Sequence, residues 1–481
     1  MWKDKSDERL SRYKMILQGS PLLYNAAAAA DKALNEHSSL IDKTVRNVCN
    51  FVLAPALSSY VLWLLDDALK NGKKRIYFIA RDAYFMYITA EMFCEAFELP
   101  IECRYLSCSR YSVRIPFYHL DIEEALDYIC RGGIDLTIIK ILSRAGLSKN
   151  EVTAVLEDLR KDASFRFDDD EFIPYYELPN IREILKKSDV FINYTIKKSE
   201  AALPLFLGYL EQEGLTDGTP SVIADSGWTG SIQKVLNNAI RYMEPEKENP
   251  ALEGYYWGLY GLPENVDPEI YHCYYFSPGY NIQEKVFFSN CLFEAVFSAP
   301  HGMTIGYSCN NGYSPIYADV SEEHNFFMEE NRECFTCFAR ELIFYVKKHS
   351  TGIQPVDQFA HSASQTDKKI IYKLLKLFMG EPDTDEAAVF GRLHFSDDVI
   401  DHRQQLLAAE LSDDELRANH AFAKILAMLG IKKGCLRESA WYEASAVNNK
   451  KKVKWHLINY RAYKMLLYIR KRHVWRKMYE R

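Results

Sequence analysis

The spacing of apolar residues predicts helices in the N-terminal part of the chain. Residues 6–71 follow a helical pattern that ends at an Asn-Gly pair, a common helix stop. The most apolar part, residues 51–65, is shorter than the roughly 20 residues that a membrane-spanning helix needs, and Asp66 and Asp67 follow it. We therefore expect a helix of the protein core here and no transmembrane segment.

The middle of the chain predicts strands that alternate with helices. A continuous apolar run of strand length occupies residues 76–80, further strands are predicted at residues 101–106, 221–224 and 254–261, and a helical pattern over residues 84–97 joins the first two strands. Such runs are typical of buried parallel strands, and a strand, a helix and a second parallel strand form one βαβ unit. The pattern predicts an α/β fold with a parallel sheet flanked by helices and a helical C-terminal part.

A polar stretch at about residues 350–367 predicts a linker ahead of a helix-dominated end. Together these patterns divide the chain into four predicted regions. They are N-terminal helices over 1–72, an α/β domain over 73–310 with a helical insertion at about 120–215, a helix-rich domain over 311–448, and a basic amphipathic tail over 449–481.

Charge divides the chain into an acidic body and a basic tail. The net charge is −7, but residues 449–481 hold twelve Lys or Arg and one Glu, so residues 1–448 carry −18. As a helix the tail sets aromatic and aliphatic residues beside cations, which is typical of a segment in an anionic lipid interface. The alternative is a terminal helix packed on the acidic body. The acidic surface elsewhere disfavours a nucleic-acid partner.

The cysteines indicate the compartment. All eleven are scattered without disulfide-like spacing, and the start of the chain has no apolar signal core. Both features are typical of a reducing cytoplasm. With the basic tail, they predict a cytoplasmic protein that is peripheral on the inner face of the plasma membrane.

A candidate phosphate site follows the third predicted strand. Asp225 stands at the carboxyl end of that strand, where ligands of open α/β sheets bind. The loop Thr229-Gly230-Ser231 then opens a helix, and free N–H groups at a helix start, beside hydroxyls, hold phosphate well. The pattern predicts a phosphate seat next to a carboxylate that binds sugar hydroxyls. A simple helix cap is the alternative.

Cations follow the first two predicted strands. Arg81 and Asp82 come directly after the first, so Arg81 is suited to a diphosphate and Asp82 to a metal or a hydroxyl. Arg110 and Arg114 follow the second strand with the spacing of one helix face. The alternatives are an ion pair that caps a helix and ordinary surface arginines.

Glu294 and His301 form the remaining candidate cluster. Glu294 lies in an otherwise apolar helix turn, where a buried carboxylate needs a partner or a task. It is a candidate general base for an acceptor hydroxyl, and a structural hydrogen bond is the alternative. His301 is a candidate substrate contact or a satisfied polar group.

Two of these segments resemble type I phosphoribosyltransferases. VIADSGWTGSIQKVL resembles their ribose-5-phosphate loop, and IYFIARDAYFMYITAEMF resembles their diphosphate loop and the following helix. In this chain Ser226 stands where a second acidic residue is usual, and Trp228 is inserted into the loop. The resemblance implies a type I phosphoribosyltransferase-like parallel sheet.

A wider set of segments resembles a group of bacterial surface-polysaccharide enzymes that are often paired with a haloacid-dehalogenase-type phosphatase. The resemblance implies a glycosyltransferase that transfers ribofuranose 5-phosphate from phosphoribosyl diphosphate to a hydroxyl of a lipid-linked glycan and releases diphosphate. A separate phosphatase of the same pathway then trims the product. The matching pieces, within residues 50–307, are APALSSYVLWLL, IYFIARDAYF, YLSCSRYSVRIP, IADSGWTGSIQ, GYYWGLYG and LFEAVFSAPHGMTIGY.

The resemblance also implies roles for the candidate residues. Arg81 and Arg110 clamp the diphosphate together with Mg²⁺, and Asp82 is the first choice for deprotonating the acceptor. Asp225 binds the ribose hydroxyls and meets the metal only indirectly, through these hydroxyls and the diphosphate. Glu294 is a further catalytic candidate. The remaining substrate-binding candidates are Arg114, Ser226, Gly227, Trp228, Thr229, Gly230, Ser231 and His301.

Two other classes of function remain open from the sequence. A nucleotide-sugar-dependent glycosyltransferase is the enzymatic alternative, although no Asp-x-Asp motif stands at a predicted strand end. A non-catalytic phosphate-binding scaffold in polysaccharide assembly is the other. The missing second acidic residue of the ribose loop favours the scaffold.

Overall fold

A five-stranded parallel sheet organises the structure, a computed structural model. Its strands follow the order β2-β1-β3-β4-β5. They are β1 (Arg75–Ile79), β2 (Glu102–Leu106), β3 (Ser221–Trp228), β4 (Glu253–Leu259) and β5 (Tyr271–Phe276). The structure describes residues 5–37, 41–133, 136–246, 251–395, 405–428 and 438–479.

Helices flank the sheet and form most of the remaining described chain. Two small antiparallel pairs join β6 (Thr304–Cys309) to β7 (Tyr313–Tyr317) and β8 (His394–Phe395) to β9 (Gln405–Leu406). The helices are α1 (Lys5–Leu17), α2 (Pro21–His37), α3 (Lys43–Val48), α4 (Ala54–Lys70), α5 (Tyr84–Phe97), α6 (Arg110–Arg114), α7 (Ile122–Ile129), α8 (Ile138–Ser143), α9 (Lys149–Leu159), α10 (Leu178–Lys187), α11 (Asp189–Gln212), α12 (Ser231–Met243), α13 (Ile282–Phe287), α14 (Asn290–Phe297), α15 (Glu322–His349), α16 (Pro355–Ser364), α17 (Lys368–Leu375), α18 (Thr384–Phe390), α19 (Asp413–Ala418), α20 (Ala421–Met428), α21 (Tyr442–Asn449) and α22 (Val453–Tyr479).

The predicted βαβ unit is present. All five residues of β1 are buried, as expected of a parallel strand that is covered on both faces. Arg75 of β1 lies beside Glu102 of β2 on one side and beside Ser221 of β3 on the other. The prediction of an α/β fold with a parallel sheet flanked by helices is therefore confirmed.

The direction of sheet growth reverses between β1 and β3. The chain leaves β1 towards β2 on one side, whereas β3 is followed by β4 and β5 on the other. In open α/β sheets, ligands bind at such a switch point, outside the carboxyl ends of the strands. The segments after β1 and β3 meet at this point.

One hydrophobic core joins the N-terminal helices, one face of the sheet and helices near the C-terminus. Its members run from Tyr13 to Val447, so it crosses the predicted boundaries at residues 72 and 310. The continuous helical segment Lys43–Lys70, made of α3, a π-helical part at Cys49–Leu53 and α4, passes through it. This helix is long and apolar enough to span a membrane, but 94% of its most apolar window is buried inside the protein. The predicted core helix is confirmed.

The helical insertion has a second core of its own. That core runs from Tyr111 to Phe191 and is built mainly from α7 to α10. Met303, which lies just before β6, packs against it. This contact packs the insertion against the segment that leads into β6.

Three segments differ from the predicted elements. The predicted linker contains α16, which buries Phe359 in the core. Strand β3 continues to Trp228, because Asp225 pairs with Tyr256 and Trp228 with Leu259 on the neighbouring strand. The edge strand β5 was not predicted, since its mixed burial weakens the apolar signal.

Candidate functional site

A cleft of about 450 Å³ lies at the switch point of the sheet. Arg81 and Asp82, directly after β1, contribute one wall. Their side chains form an ion pair, with Arg81 Nε 3.8 Å from Asp82 Oδ1. The peptide bond between Ala80 and Arg81 is cis. The residues predicted at the end of the first strand therefore line the cleft.

Two carboxylates meet across a serine hydroxyl on the next wall. Ser226 Oγ donates to Asp82 Oδ2 at 2.9 Å and lies 3.5 Å from Asp225 Oδ1. Burial, and then the nearby Asp82 charge, raise the pKa of Asp225 to about 7, and hydrogen bonds from Ser226 and the Arg110 charge oppose the rise. Like charges held this close favour the arrival of a cation or of a hydroxyl donor.

The loop between Asp225 and α12 has an unusual backbone. Gly227, Trp228 and Gly230 have φ angles of 108°, 67° and 61°, in the left-handed region. A Cβ atom on Gly227 would lie 2.6 Å from the Gly258 carbonyl oxygen. Only glycine fits at this position, because the end of β3 runs so close to Gly258 of β4. The tight loop brings Ser231 and the start of α12 to the cleft.

The start of α12 is open to an anion. Gly230 is the N-cap residue of this helix, and among the described residues no side-chain hydrogen bond caps it. Ser231 and Ile232 line the cleft, whereas Thr229 and Gly230 do not. The Thr229 N–H donates to the Gly227 carbonyl at 3.0 Å. The candidate phosphate site is therefore limited to the first turn of α12.

Glu294 is tied to the same loop. It is buried in α14 and lines the cleft. The indole Nε1 of Trp228 donates to Glu294 Oε1 at 2.5 Å, and the Trp228 ring packs against Phe288 and Phe293. The predicted structural hydrogen bond is present, with the Trp228 indole as a donor.

His301 lies behind the cleft wall, and protein groups satisfy both of its ring nitrogens. Nδ1 donates to the Gly302 carbonyl at 2.8 Å, which leaves Nε2 to accept from the Tyr105 hydroxyl at 2.8 Å. Burial, followed by the Arg81 charge, lowers the pKa of His301. The ring is a neutral, satisfied polar group stacked on Tyr317, and Gly302 rather than His301 lines the cleft.

Arg110 and Arg114, predicted on one helix face, lie in different surroundings, and only Arg110 lines the cleft. Arg110 lines the cleft, where its charge acts on Asp225. The Arg114 guanidinium instead lies over the Tyr128 ring, 4.2 Å from its centroid. The insertion supplies this ring, so the local sequence around α6 contained no sign of the separation.

Sequence reasoning missed the wall that the insertion contributes. Tyr128, Arg131 and Arg144 all line the cleft. Arg144 is buried and donates to the carbonyls of Ile129 and Arg131, which fixes the loop after α7. Loss of solvation, and then the Arg110 and Arg114 charges, lower the pKa of Arg131. The only local signal was an arginine followed by two glycines at the end of a helix.

The oxygen donors fit Mg²⁺ only together with a ligand. Over the part of the chain that the structure describes, no three His, Cys, Asp or Glu side chains are grouped to hold a metal. Asp82 and Asp225 supply two carboxylates. Because Mg²⁺ binds through one or two carboxylates plus substrate phosphates and waters, this donor set suits a metal that arrives with a phosphorylated substrate.

Comparison with known proteins adds no family. A scan of the chain against protein-family models finds no match, and a search of curated proteins finds none either. Function is therefore argued from the cleft itself.

Proposed function

We propose that this protein is a glycosyltransferase with a type I phosphoribosyltransferase-like fold. It transfers ribofuranose 5-phosphate from phosphoribosyl diphosphate to a hydroxyl of a lipid-linked glycan and releases diphosphate. The observation that carries the proposal is the adjacency of the β1 and β3 carboxyl ends. This adjacency gives one cleft Arg81 and Asp82 after one strand, and Asp225 to Trp228 with Ser231 from the other.

The cleft matches the three parts of this donor. The open first turn of α12 and the Ser231 hydroxyl suit the 5-phosphate. Arg81 and Arg110 suit the diphosphate at the other end, because guanidinium groups pair with phosphate oxygens bidentately. Asp225 lines the same cleft and suits the ribose hydroxyls.

The transfer breaks the bond from ribose C1 to the diphosphate oxygen and forms a bond from C1 to the acceptor oxygen. The acceptor hydroxyl loses its proton to a base, for which we propose Asp82, whose Oδ2 accepts from Ser226. The arginines stabilise the charge that develops on the departing diphosphate. Mg²⁺, held through the diphosphate and ribose hydroxyls beside Asp225, would neutralise part of that charge.

The insertion wall is left for the acceptor. Tyr128 and Arg131 face the same cleft from outside the donor-binding loops, and an aromatic ring with a neighbouring cation suits a sugar or an anionic group. The product keeps its 5-phosphate, so a separate phosphatase of the pathway would remove it.

Calorimetry with phosphoribosyl diphosphate and Mg²⁺, against a panel of nucleotide sugars, tests the donor. We expect binding of phosphoribosyl diphosphate by the full chain, and a loss of about 2–4 kcal/mol in Arg81→Ala, which removes a charged hydrogen-bond donor. Arg160→Ala, on an exposed surface pair with Asp169, is the matched control and should bind normally.

Diphosphate release separates the enzyme from its alternatives. With a lipid-linked glycan acceptor, the proposal requires release of one diphosphate for each pentose transferred. Selective binding of a nucleotide sugar would favour the conventional glycosyltransferase instead. Binding of phosphoribosyl diphosphate without release, on every acceptor tried, would favour the scaffold.

A further inference from the structure

The C-terminal helix α22 is docked on the body through one face. Lys464 is buried on this face and donates to the Phe288 carbonyl at 3.0 Å. The Tyr460 ring stacks on Tyr442 with centroids 3.9 Å apart. The predicted packing of the tail on the body is therefore present for this face.

The opposite face of α22 carries an exposed apolar stripe. Trp455, Ile458, Leu466 and Ile469 expose 44%, 63%, 51% and 49% of their surface. With Ala462 between them, these positions recur every three or four residues, so they share one side of the helix. A surface helix of a globular protein normally has polar residues on this side. Packing on the body therefore leaves this stripe uncovered.

Cations border the stripe. Lys454 and Lys477 are exposed, and residues 449–481 hold twelve Lys or Arg against one Glu, whereas residues 1–448 carry −18. An anionic bilayer complements both features, because its headgroups attract the cations and its acyl boundary takes the apolar side chains. The acidic body is repelled by the same surface, which sets the orientation.

We propose that the apolar stripe of α22, with its bordering lysines, docks this protein on an anionic lipid bilayer, with the helix axis in the plane of the interface. The two interpretations of the tail, packing on the body and binding a membrane, then belong to different faces of one helix.

Docking would also bring the cleft close to the lipid. Tyr468 of α22 stacks on Tyr260 at 5.6 Å, and Tyr260 lies 5.9 Å from Trp228, which lines the cleft. Only two ring contacts therefore separate the docked helix from the site. This consequence rests on the proposed function, since it suits an acceptor glycan whose lipid carrier stays in the bilayer.

Co-sedimentation of the full chain with vesicles tests the docking without any turnover. We expect binding to phosphatidylcholine vesicles that contain phosphatidylglycerol, weaker binding to phosphatidylcholine alone, and a decrease with added salt. The triple variant Ile458→Ser, Leu466→Ser, Ile469→Ser should lose about tenfold in affinity for each residue, since each is half-exposed and would be buried on binding. The control Phe326→Ser, Phe344→Ser, Ile353→Ser changes equally exposed apolar residues elsewhere and should bind like the wild type.

Charge reversal gives a second test at exposed positions that carry no packing. Lys454→Glu with Lys477→Glu should reduce binding to the anionic vesicles by about tenfold or more, with circular dichroism unchanged. Absence of wild-type binding, or equal binding by the triple variant, would overturn the proposal. So would a wild-type dimer in solution that the triple variant makes monomeric, because the stripe would then join two copies. Failure of diphosphate release leaves these vesicle results unaffected.

Discussion

Glu386 and Asp225 are both carboxylates withdrawn from bulk water, but the chain treats their charges in opposite ways. Glu386, 1% exposed in the core, accepts from Arg9 Nε at 2.9 Å and Nη2 at 2.6 Å and from the Tyr13 hydroxyl. Asp225 faces another carboxylate, Asp82, across a single serine hydroxyl. The core carboxylate receives two hydrogen bonds from one cation. The cleft carboxylates lie close together, with Arg81 Nε 3.8 Å from Asp82 and the Arg110 charge acting on Asp225.

This contrast teaches where a ligand belongs. Burial raises the pKa of Glu386 and the Asp383 charge adds to the rise, while the Arg9 charge and the hydrogen bonds from Arg9 and Tyr13 oppose it, so folding brings the neutralising partner with it. At Asp225, burial and the like charge of Asp82 act in the same direction. A protein that keeps such a pair has a use for it, because the arrangement is costly until a cation or a hydroxyl donor arrives.

The largest effect is expected from breaking the core pair. Glu386→Gln leaves the buried Arg9 guanidinium without its main counter-charge, and should lower the free energy of unfolding by about 3–5 kcal/mol. Urea denaturation followed by circular dichroism measures the loss. Asp169→Asn, in the exposed pair with Arg160, should leave the unfolding midpoint unchanged. A similarly small change in Glu386→Gln would erase the contrast between core and cleft.

In the cleft, by contrast, removing the carboxylate charge is expected to raise the free energy of unfolding. The Asp225 pKa is about 7 in the folded chain and about 3.9 unfolded. Between these pH values the folded state binds more protons, so stability falls as pH rises. Asp225→Asn cannot ionise, and above the folded pKa it should gain about 2 kcal/mol of unfolding free energy, a figure discounted for partial solvation.

The same variant should lose turnover of phosphoribosyl diphosphate by about a hundredfold, because the amide holds the ribose hydroxyls less well than the carboxylate does. Parallel denaturation and kinetic measurements on one preparation check both halves. A variant that is less stable and fully active would contradict the assignment of Asp225 to ligand binding.

The pH dependence of kcat/KM gives a further test of the Asp225 charge. Ionised Asp225 accepts from ribose hydroxyls more strongly than the protonated acid does, so kcat/KM should fall, by up to about tenfold for each pH unit, below the Asp225 pKa, which is about 7. Raising the Mg²⁺ concentration should move this limb to lower pH, since a nearby cation favours the carboxylate. A profile that stays flat through neutrality would show that Asp225 does not titrate in the reaction.

Glu294 lines the cleft as Asp225 does, but it has a hydrogen-bond donor of the chain as Glu386 does. Its substitution is expected to have the smallest effect. Glu294 accepts a hydrogen bond from the Trp228 indole, and the carbonyl oxygen of a glutamine can accept that bond equally well. Glu294→Gln should therefore cost only about threefold in kcat, whereas loss of a general base costs about 10²–10⁴-fold. Glu294→Leu, which breaks the bond, should reduce kcat more than the Gln variant does. A loss of a hundredfold or more in Glu294→Gln would restore Glu294 as the base.

Elements with a strong local pattern were predicted closely. The helix predicted at residues 84–97 has those bounds. The first strand is shifted by one residue at both ends, and the second begins one residue later than predicted. Strand β3 was predicted too short because its last residues are polar, and their pairing with β4 is not a local property. The helix α16 was missed because its few apolar residues become a core face only against α4 and α5.

The candidate site was predicted unevenly for the same reason. Asp82, Asp225 and Ser231 sit at strand ends or at a helix start, positions that a strand-helix pattern fixes along the chain, and all three line the cleft. Arg114 was chosen for its helical spacing from Arg110 and His301 by residue type, and tertiary partners hold both of them outside the lining. Arg131 and Arg144 carried no pattern, since the insertion that brings them is distant in sequence.

The sequence by itself determined which segments become buried strands, where their polar ends fall and which tail is basic. These properties depend on neighbours within a few residues, which the order of amino acids specifies directly. The tertiary structure alone decided that β1 lies beside β3, that the insertion closes the cleft, and that α22 packs through one apolar face while exposing another. Each of these depends on which distant surfaces bury each other, and that is set by the packing of the whole chain.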